Sequence, residues 1–362
     1  MALYKRAIHS WEKKLASRDR NRVVRDFDWG AEWFSEPVVP GKNGMGEREA
    51  ARYVLERTEA AVAASDRFFS YRTPRDFRLE DGRLSFSTPL PSPYAENNTV
   101  EARFFPAGKS RRAAKRRAAL ILPQWNHDAE SHAGFCRMLN WFGISALRMT
   151  LPYHGSRKPP EIERADYHVS SNVGRTIHAC RQATVDARAC LDWLEQQEYR
   201  TLGLEGTSLG SCIALLVAAH DRRVKAAVFN HISTYFSDVV WTGLSTEHVR
   251  EGLAQRLSLE ELRRIWAVIS PASYLDRLAG RDLPALLIWA THDLSFLPKY
   301  SRHVLAHFRR RGLRHRAVAI PCGHYTLARA PFKYIDGASM SWFLHRNLRD
   351  EASPTGSPSG AS

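Results

Sequence analysis

The chain has 362 residues, 44% of them hydrophobic and 10% aromatic, so it can bury a large core in one main domain. No apolar run approaches the roughly 20 residues that a membrane-spanning helix needs, and the first residues lack the apolar segment of a secretory signal. Five widely spaced cysteines without a C-x-x-C pair argue against a disulfide framework or a zinc knuckle. We therefore expect a soluble, cytoplasmic protein.

The formal net charge of +15 is concentrated in three basic stretches, at residues 1–25, 109–117 and 299–316. Such stretches could attract an anionic membrane surface, nucleic acid or an acidic substrate. None of them resembles a nucleic-acid-binding module, and few aromatic residues lie between the basic ones. No specific nucleic-acid partner is expected, and an arginine-rich solvated surface is the simplest interpretation of the charge.

Residues 1–82 are predicted to form an N-terminal extension that is partly helical and partly irregular. Helical patterning covers residues 2–16 and 48–69, with a Pro/Gly-rich segment at 37–46 between them. Two strands follow at residues 83–88 and 99–105, and the turn-rich segment between them favours antiparallel pairing.

From residue 118 onward, short apolar strands alternate with helices, which is typical of a mostly parallel sheet with helices on both faces. This α/β domain is predicted to span residues 83–347, and the Ser/Pro/Gly-rich tail at 348–362 is predicted to be disordered. The interval 230–280 is too long for one connection and is predicted to be a helical lid insertion over the carboxyl edge of the sheet. Strands are predicted at 118–122, 144–149, 201–205, 224–229, 284–290 and 316–320, and helices at 131–142, 175–197, 209–219, 298–311 and 331–347.

A candidate nucleophile stands between a predicted strand and a predicted helix. The segment Gly206-Thr207-Ser208-Leu209-Gly210 fits the G-x-S-x-G pattern of a nucleophile elbow, in which a serine occupies a strained strand-to-helix turn. Glycines on both sides allow the backbones to approach closely. The helix that follows offers free N–H groups where an oxyanion would form, and the Leu209 N–H is the first candidate donor. Ser208 could otherwise be merely a small residue in a tight turn.

Two further residues supply the partners that a serine nucleophile needs. Asp293 follows the apolar strand at 284–290, and His324 follows the last predicted strand, so both belong at the carboxyl edge of the sheet. The chain order Ser208, Asp293, His324 is that of an α/β-hydrolase triad. Asp293 could instead be a helix N-cap, and Asp238 is the alternative acid.

Other candidate groups are given structural roles. His127, His132 and His154 are expected to be loop residues near the mouth of the site, and Cys322 is expected to be structural. The histidines lack H-x-x-x-H and H-E-x-x-H spacing, so no metal site is predicted.

Residues 84–347 resemble the α/β-hydrolase superfamily, through GTSLG at 206–210, THDLSFLP at 291–298 and Gly323-His324. The likeness is greatest to a branch with a P-Y-x-G-x-R-K-P loop after the fourth strand, matched here at 152–159, with some similarity to dienelactone-hydrolase-type esterases. The resemblance implies an α/β-hydrolase fold and a serine esterase or lipase-like activity without a cofactor.

One departure from the superfamily concerns the oxyanion hole. Many members have His-Gly after the third strand, whereas this chain has Pro123-Gln124-Trp125-Asn126. The donor in an oxyanion hole is a backbone N–H, so the function can survive the change. We assign Trp125 as the second donor beside Leu209.

The predicted function is hydrolysis of carboxylic esters through an acyl-enzyme on the Ser208-His324-Asp293 triad. Acyl transfer or amide cleavage would use the same residues, and a hydrolase-like binding protein with a silent triad is a further alternative. The substrate-pocket candidates are Tyr153, His154, Trp241 and Trp266, although the lid side chains could simply pack on the sheet. A small-molecule or lipid ester, approached at an anionic membrane surface, would suit the basic stretches. The sequence does not indicate an oligomeric state.

Overall fold

The structure is a computed structural model that describes residues 2–39, 41, 44–108 and 117–348. The basic stretch at 109–117, apart from Arg117, lies outside the described residues. So does the predicted disordered tail, apart from Leu348, which is buried.

Nine described strands form one sheet in the order β1-β2-β3-β5-β4-β6-β7-β8-β9. The first three strands and the β3–β5 pair are antiparallel, and all pairs from β5 through β4 to β9 are parallel. Parallel neighbours need long crossovers, which the helices supply. The strands are β1 (Arg78–Glu80), β2 (Arg83–Ser87), β3 (Thr99–Phe105), β4 (Arg117–Leu122), β5 (Ser145–Met149), β6 (Thr201–Thr207), β7 (Val224–Asn230), β8 (Ala285–Ala290) and β9 (His315–Ile320).

Eleven α-helices in the described residues surround this sheet. They are α1 (Ala2–Ala16), α2 (Glu47–Ala63), α3 (Ser65–Phe68), α4 (Ala133–Trp141), α5 (Val173–Gln196), α6 (Leu209–His220), α7 (Phe236–Thr242), α8 (Glu247–Leu253), α9 (Leu259–Ile265), α10 (Pro298–Arg310) and α11 (Phe332–Asn347). None of them has the length and apolar character of a membrane span.

Both faces of the sheet are covered, as β4 illustrates. Leu120 and Leu122 belong to a core shared with α2, α5, α6 and α10, whereas Ala119 and Ile121 belong to a second core with α4 and α11. Successive side chains of a strand point to opposite faces, so a strand that is apolar throughout must be buried on both. The prediction of an α/β-hydrolase fold with a mostly parallel sheet is therefore confirmed.

The helices α7, α8 and α9 lie between β7 and β8, within the interval predicted to be a lid. Their side chains join the same core as α5 and α6, and Arg264 of α9 forms an ion pair with Glu59 of α2 at 3.2 Å. Phe236, Val239 and Val240 of α7 line the central cavity. This segment thus forms one wall of the cavity, and its action as a lid stays a prediction.

The N-terminal residues lie directly against the body of the protein. The Asp28 N–H donates to the Ser171 carbonyl at 3.2 Å, and the Val173 N–H donates to the Asp28 carbonyl at 2.9 Å. Strand β1 was not predicted, because its three residues are all exposed and show no apolar alternation. It pairs with β2, so the sheet begins before residue 83.

Candidate active site

The turn between β6 and α6 places Ser208 in a strained conformation. Its φ of 57° and ψ of −117° are rare for a residue with a Cβ. The backbones around it approach so closely that a Cβ on Gly206 would lie 2.2 Å from the Gly210 carbonyl oxygen. A Cβ on Gly210 would lie 2.0 Å from the Leu122 carbonyl oxygen. Both glycines are therefore required by the elbow. Ser208 is only 6% exposed and lines a cavity.

The carboxyl edge of the sheet brings Ser208, His324 and Asp293 into one chain of contacts. Ser208 Oγ lies 3.2 Å from His324 Nε2, and His324 Nδ1 lies 3.0 Å from Asp293 Oδ2. A carboxylate only accepts hydrogen bonds, so Nδ1 carries the proton and Nε2 is left to accept one from Ser208. This is the geometry that a general base needs to activate a serine.

The charges of His324 and Asp293 stabilise each other. Burial favours the neutral carboxyl, but the positive charge of His324 and the contacts with His231 and His324 hold the pKa of Asp293 well below its usual range. Burial also disfavours the imidazolium, yet the charge of Asp293 and its hydrogen bond raise the pKa of His324 above its ordinary value. Asp293 Oδ1 further accepts the N–H groups of Ser295 and Phe296, both at 2.7 Å. The acid is thus ionised and fixed in orientation.

His231 is a fourth member of this cluster that the sequence analysis missed. It directly follows β7, is buried, and places Nδ1 3.0 Å from Asp293 Oδ2, although the pair lacks hydrogen-bond geometry. Burial lowers its pKa, so its imidazole is neutral beside His324. Its place at the carboxyl end of a strand was the available signal.

The cluster of His231, Asp293 and His324 also has the spacing of a metal site, since one ligand atom from each lies within 4.8 Å of the others. In the described residues no other group of histidine, cysteine and acidic residues has this spacing. His324 Nδ1 and Asp293 Oδ2 form the hydrogen bond of an imidazole N–H on a carboxylate, whereas His231 Nδ1 is only close to the same oxygen. We therefore assign the contact between His324 and Asp293 to holding a proton.

The alternative acid, Asp238, does not reach His324. It lies in α7 and binds Arg263, with Arg263 Nε 2.7 Å from Asp238 Oδ1 and Nη2 3.2 Å from Oδ2. That ion pair engages both oxygens of the carboxylate. Asp293, and not Asp238, is the carboxylate beside the histidine.

The two assigned oxyanion donors both line the cavity beside Ser208. Leu209 is the first residue of α6, and Trp125 lies in the turn after β4. Neither backbone N–H donates a hydrogen bond within the described part of the chain. The next amide in the turn, that of Asn126, is already used, because it donates to His154 Nε2 at 2.9 Å. Trp125 and Leu209 therefore keep the free N–H groups that an oxyanion hole needs.

None of the four substrate-pocket candidates lines the cavity beside Ser208. Tyr153 and Trp266 are fully buried, and the indole N–H of Trp266 donates to the Val173 carbonyl in the core. His154 is buried behind the turn at Trp125 and Asn126. Trp241 is half-buried and packs against the core. Their large apolar surfaces are used for packing.

Three further expectations concern residues near the site. His127 and His154 lie in loops, and their rings are buried and stacked 4.4 Å apart. His132 is half-buried and lines the cavity, and its Nε2 lies 3.1 Å from Thr207 Oγ1. Cys322 is buried, which raises the pKa of its thiol and leaves it unreactive.

The loop at 152–159 is anchored by its arginine. Arg157 is fully buried and forms an ion pair with Asp186 of α5 at 2.7 Å. Its guanidinium also donates to the carbonyls of Asn97 and Thr150, at 2.9 and 3.0 Å. Arg157 thus fixes the loop that carries His154. His154 in turn accepts the Asn126 N–H in the turn after β4.

The cavity beside Ser208 has a volume of about 840 Å³, within the usual range for ligand sites. Apolar side chains from five elements or their adjoining loops form most of its wall, among them Leu15, Phe135, Met138, Phe236, Val240, Phe296, Leu327 and Met340. Arg18, Arg329 and Lys333 lie in its lining as well, and none has an ion-pair partner in the described ranges. The cavity is therefore largely apolar with these exposed basic side chains at its rim, and Asp19 and Asp336 are the acidic residues in its lining.

Comparison with known proteins gives one family match and short or distant likenesses. A family model described as alpha/beta hydrolase domain containing 18 matches residues 86–263. An uncharacterized protein of Mycobacterium tuberculosis is 33% identical over 87 residues, which are 24% of this chain and 21% of that protein. The match thus spans about a fifth of the length of this curated relative.

Solved structures add wider coverage at low identity. Acetyl xylan esterase 1 from Thermoanaerobacterium has a TM-score of 0.54 at 14% identity, with 83% of this chain and 94% of that chain covered. A puromycin-hydrolyzing peptidase of Mycobacterium tuberculosis has the same TM-score at 16% identity, with 77% and 40% covered. At such identities the likeness shows the fold. Together with the family match and the sheet order, it shows that this chain belongs to the α/β-hydrolase superfamily.

Proposed function

We propose that this protein is a serine hydrolase that cleaves carboxylic esters through an acyl-enzyme intermediate. The observation that supports it most is the contact chain from Ser208 Oγ through His324 to Asp293, at 3.2 and 3.0 Å, at the wall of an apolar cavity. A nucleophile, a base and an orienting carboxylate are the parts that acyl transfer requires.

In the first half of the proposed reaction, Ser208 Oγ attacks the ester carbonyl carbon while His324 Nε2 takes the hydroxyl proton. The negative charge that forms on the carbonyl oxygen accepts hydrogen bonds from the Leu209 and Trp125 N–H groups. When the C–O bond breaks, His324 gives its proton to the departing alcohol. Asp293 stabilises the imidazolium throughout this half of the reaction.

The second half of the reaction repeats the same steps with water. His324 Nε2 removes a proton from water, whose oxygen attacks the acyl carbon, and the proton then returns to Ser208 as the acid leaves. An alcohol or amine in place of water would give acyl transfer, and an amide substrate would give amide cleavage. Ester hydrolysis demands least of these residues, because an alkoxide is a better leaving group than an amine anion.

The proposed substrate is an ester with a sizeable apolar acyl part and an anionic group. The largely apolar wall of the cavity suits the acyl part, and Arg18, Arg329 and Lys333 at the rim suit the anion. The basic residues of α1 and α10 would favour an approach at an anionic membrane surface.

The test of the activity is the substitution Ser208→Ala. We expect loss of p-nitrophenyl ester turnover by about 10⁴-fold or more, loss of labelling by a fluorophosphonate probe, and a nearly unchanged thermal melt. The exposed Ser70→Ala variant is the matched control and should label and turn over like the wild type. Turnover at the wild-type rate in Ser208→Ala, or a wild-type protein that does not label, would sink the proposal and favour a binding protein.

A further inference from the structure

Helix α1 places a buried carboxylate against the loop that carries His324. Glu12 is fully buried, its Oε1 accepts the Thr326 N–H at 2.7 Å, and its Oε2 accepts the Tyr325 N–H at 3.0 Å. A buried carboxylate is costly unless hydrogen bonds satisfy it. Here the two donors are the residues directly after the proposed general base.

The contact extends to the residue before His324 as well. A Cβ on Gly323 would lie 2.3 Å from Glu12 Cδ, so the carboxylate rests on this glycine with no room for a side chain. The Gly323 N–H donates in turn to Thr326 Oγ1 at 2.7 Å. Glu12 therefore contacts the loop on both sides of His324.

The surrounding N-terminal residues hold α1 in this place. Tyr4 donates to the Pro321 carbonyl, and its ring lies edge-on to His292, beside Asp293, with centroids 5.6 Å apart. Arg22, just after α1, donates to Tyr325 Oη at 3.2 Å. The loop that carries Asp293 and the loop that carries His324 are thus both packed against the N-terminal segment.

Several titratable groups face His324 from the elements packed against it. Asp293 and Glu12 are the anionic ones, His231 is neutral, and Tyr325 follows His324 in the same loop. The negative charge of Glu12 acts with that of Asp293 to raise the pKa of His324. Glu12 thus affects both the position of the imidazole and its affinity for a proton.

We propose that Glu12 is a positioning residue for His324, which holds the loop 323–326 so that the imidazole contacts Ser208 and Asp293 together. The proposal rests on the ester hydrolysis proposed above. It also makes α1 a part of the active site, although α1 lies outside the residues 86–263 that match the family model.

Two substitutions separate the geometric effect of Glu12 from its charge. Glu12→Asp keeps the charge but is one methylene shorter, so it cannot reach both N–H groups. Glu12→Gln keeps the length but removes the charge, and its amide NH2 group cannot accept an N–H, so only one of the two hydrogen bonds remains. The pH profile of kcat for a short p-nitrophenyl ester and the rate of fluorophosphonate labelling of Ser208 are measured for both.

We expect kcat on the pH plateau to fall about ten- to a hundredfold in both variants with KM nearly unchanged, because the base is misplaced and the substrate cavity is not. The acid limb of the profile should move to lower pH in Glu12→Gln, since the pKa of His324 falls when the anion is lost, and should stay near that of the wild type in Glu12→Asp. The exposed Glu49→Gln variant is the charge-matched control and should match the wild type.

Circular dichroism and thermal melts decide whether each variant is folded. A folded Glu12→Gln variant with the wild-type plateau or an unmoved acid limb overturns the inference, as does a loss of rate no greater than the loss of folded protein. If Glu12→Gln does not fold, a wild-type kcat in Glu12→Asp is enough by itself to overturn the inference. A wild-type protein that fails to label contradicts the ester hydrolysis itself, so the two failures are distinct.

Discussion

The partner of each buried imidazole decides whether it can take up a proton near neutral pH. Burial lowers the pKa of His132 and of His168 to about 4, and among the described residues neither ring has a hydrogen bond to a carboxylate. His324 is half-buried, and Asp293 raises its pKa although burial opposes this. His231 lies beside that carboxylate and still has a lowered pKa, because of its burial and, to a smaller degree, the charge of His324. Asp293 thus supports one imidazolium.

Glu205 gives the folded protein a stability that depends on pH. It lies in β6 with no exposed surface, and burial raises its pKa to about 8, with a smaller contribution from the charge of Asp336. A carboxyl with a raised pKa contributes stability that is fully present below about pH 4.5 and is lost as the pH rises through about 8.

We expect Glu205→Gln, which cannot ionise, to exceed the wild type in the free energy of unfolding by a few kcal/mol at pH 8 to 9. Its advantage should shrink toward pH 5. Urea unfolding at several pH values measures the difference, and the exposed Glu80→Gln variant should run parallel to the wild type. If the free energy of unfolding of Glu205→Gln had the same pH dependence as that of the wild type, Glu205 would not have a raised pKa in the folded protein.

At the scale of single residues, the sequence predicts those members of the site that follow strands. Ser208, Asp293 and His324 each stand after an apolar strand, so a parallel sheet brings them to one edge. Glu12 could not be found in this way, because its partners are 313 and 314 residues distant in the chain. A single glutamate among basic residues of an amphipathic helix reads as a solvated charge.

At the scale of elements, the connection between β5 and α5 depends on one ion pair. Arg157 and Asp186 are both fully buried, and Thr88 Oγ1 donates to the second carboxylate oxygen. Burial raises the pKa of Asp186, although the charge of Arg157 opposes this. Removal of the arginine alone would leave an unpaired acid in the core.

We therefore expect Arg157→Leu to lower the free energy of unfolding by about 3–5 kcal/mol. The double variant Arg157→Leu/Asp186→Leu should lose clearly less, because no buried charge is left unpaired. Urea unfolding of both variants and the wild type provides the comparison. Equal losses in the single and double variants would contradict the ion-pair account.

Elements with strong periodicity were predicted well, and elements set by tertiary contacts were not. The bounds of α1 and β3 agree with the sequence prediction, since both show regular apolar spacing. Strand β1 forms only because β2 offers it a partner edge. The aromatic residues Trp241 and Trp266 were assigned to a pocket because apolar content alone cannot distinguish a cavity wall from a packed core.

At the scale of the whole molecule, an apolar cavity lies beneath a basic rim. If the proposed substrate is correct, p-nitrophenyl ester turnover should rise from acetyl to octanoyl. The protein should also bind anionic vesicles at low salt, less strongly as salt is added. The double variant Arg329→Gln/Lys333→Gln should bind more weakly at low salt with an unchanged preference for chain length. A preference for acetyl esters with no vesicle binding would exclude the lipid ester.

The contact between Glu12 and the loop after His324 also sets an order of events during synthesis. Helix α1 leaves the ribosome before the loop that Glu12 contacts, because Tyr325 and Thr326 follow Glu12 by 313 and 314 residues. At about 5–20 residues per second, α1 waits at least about 15 seconds for its partner loop. Ser208 would therefore be made well before His324 and the loop contact with Glu12, on which its proposed activity depends. The proposed site could therefore be completed only after residue 326 has been made.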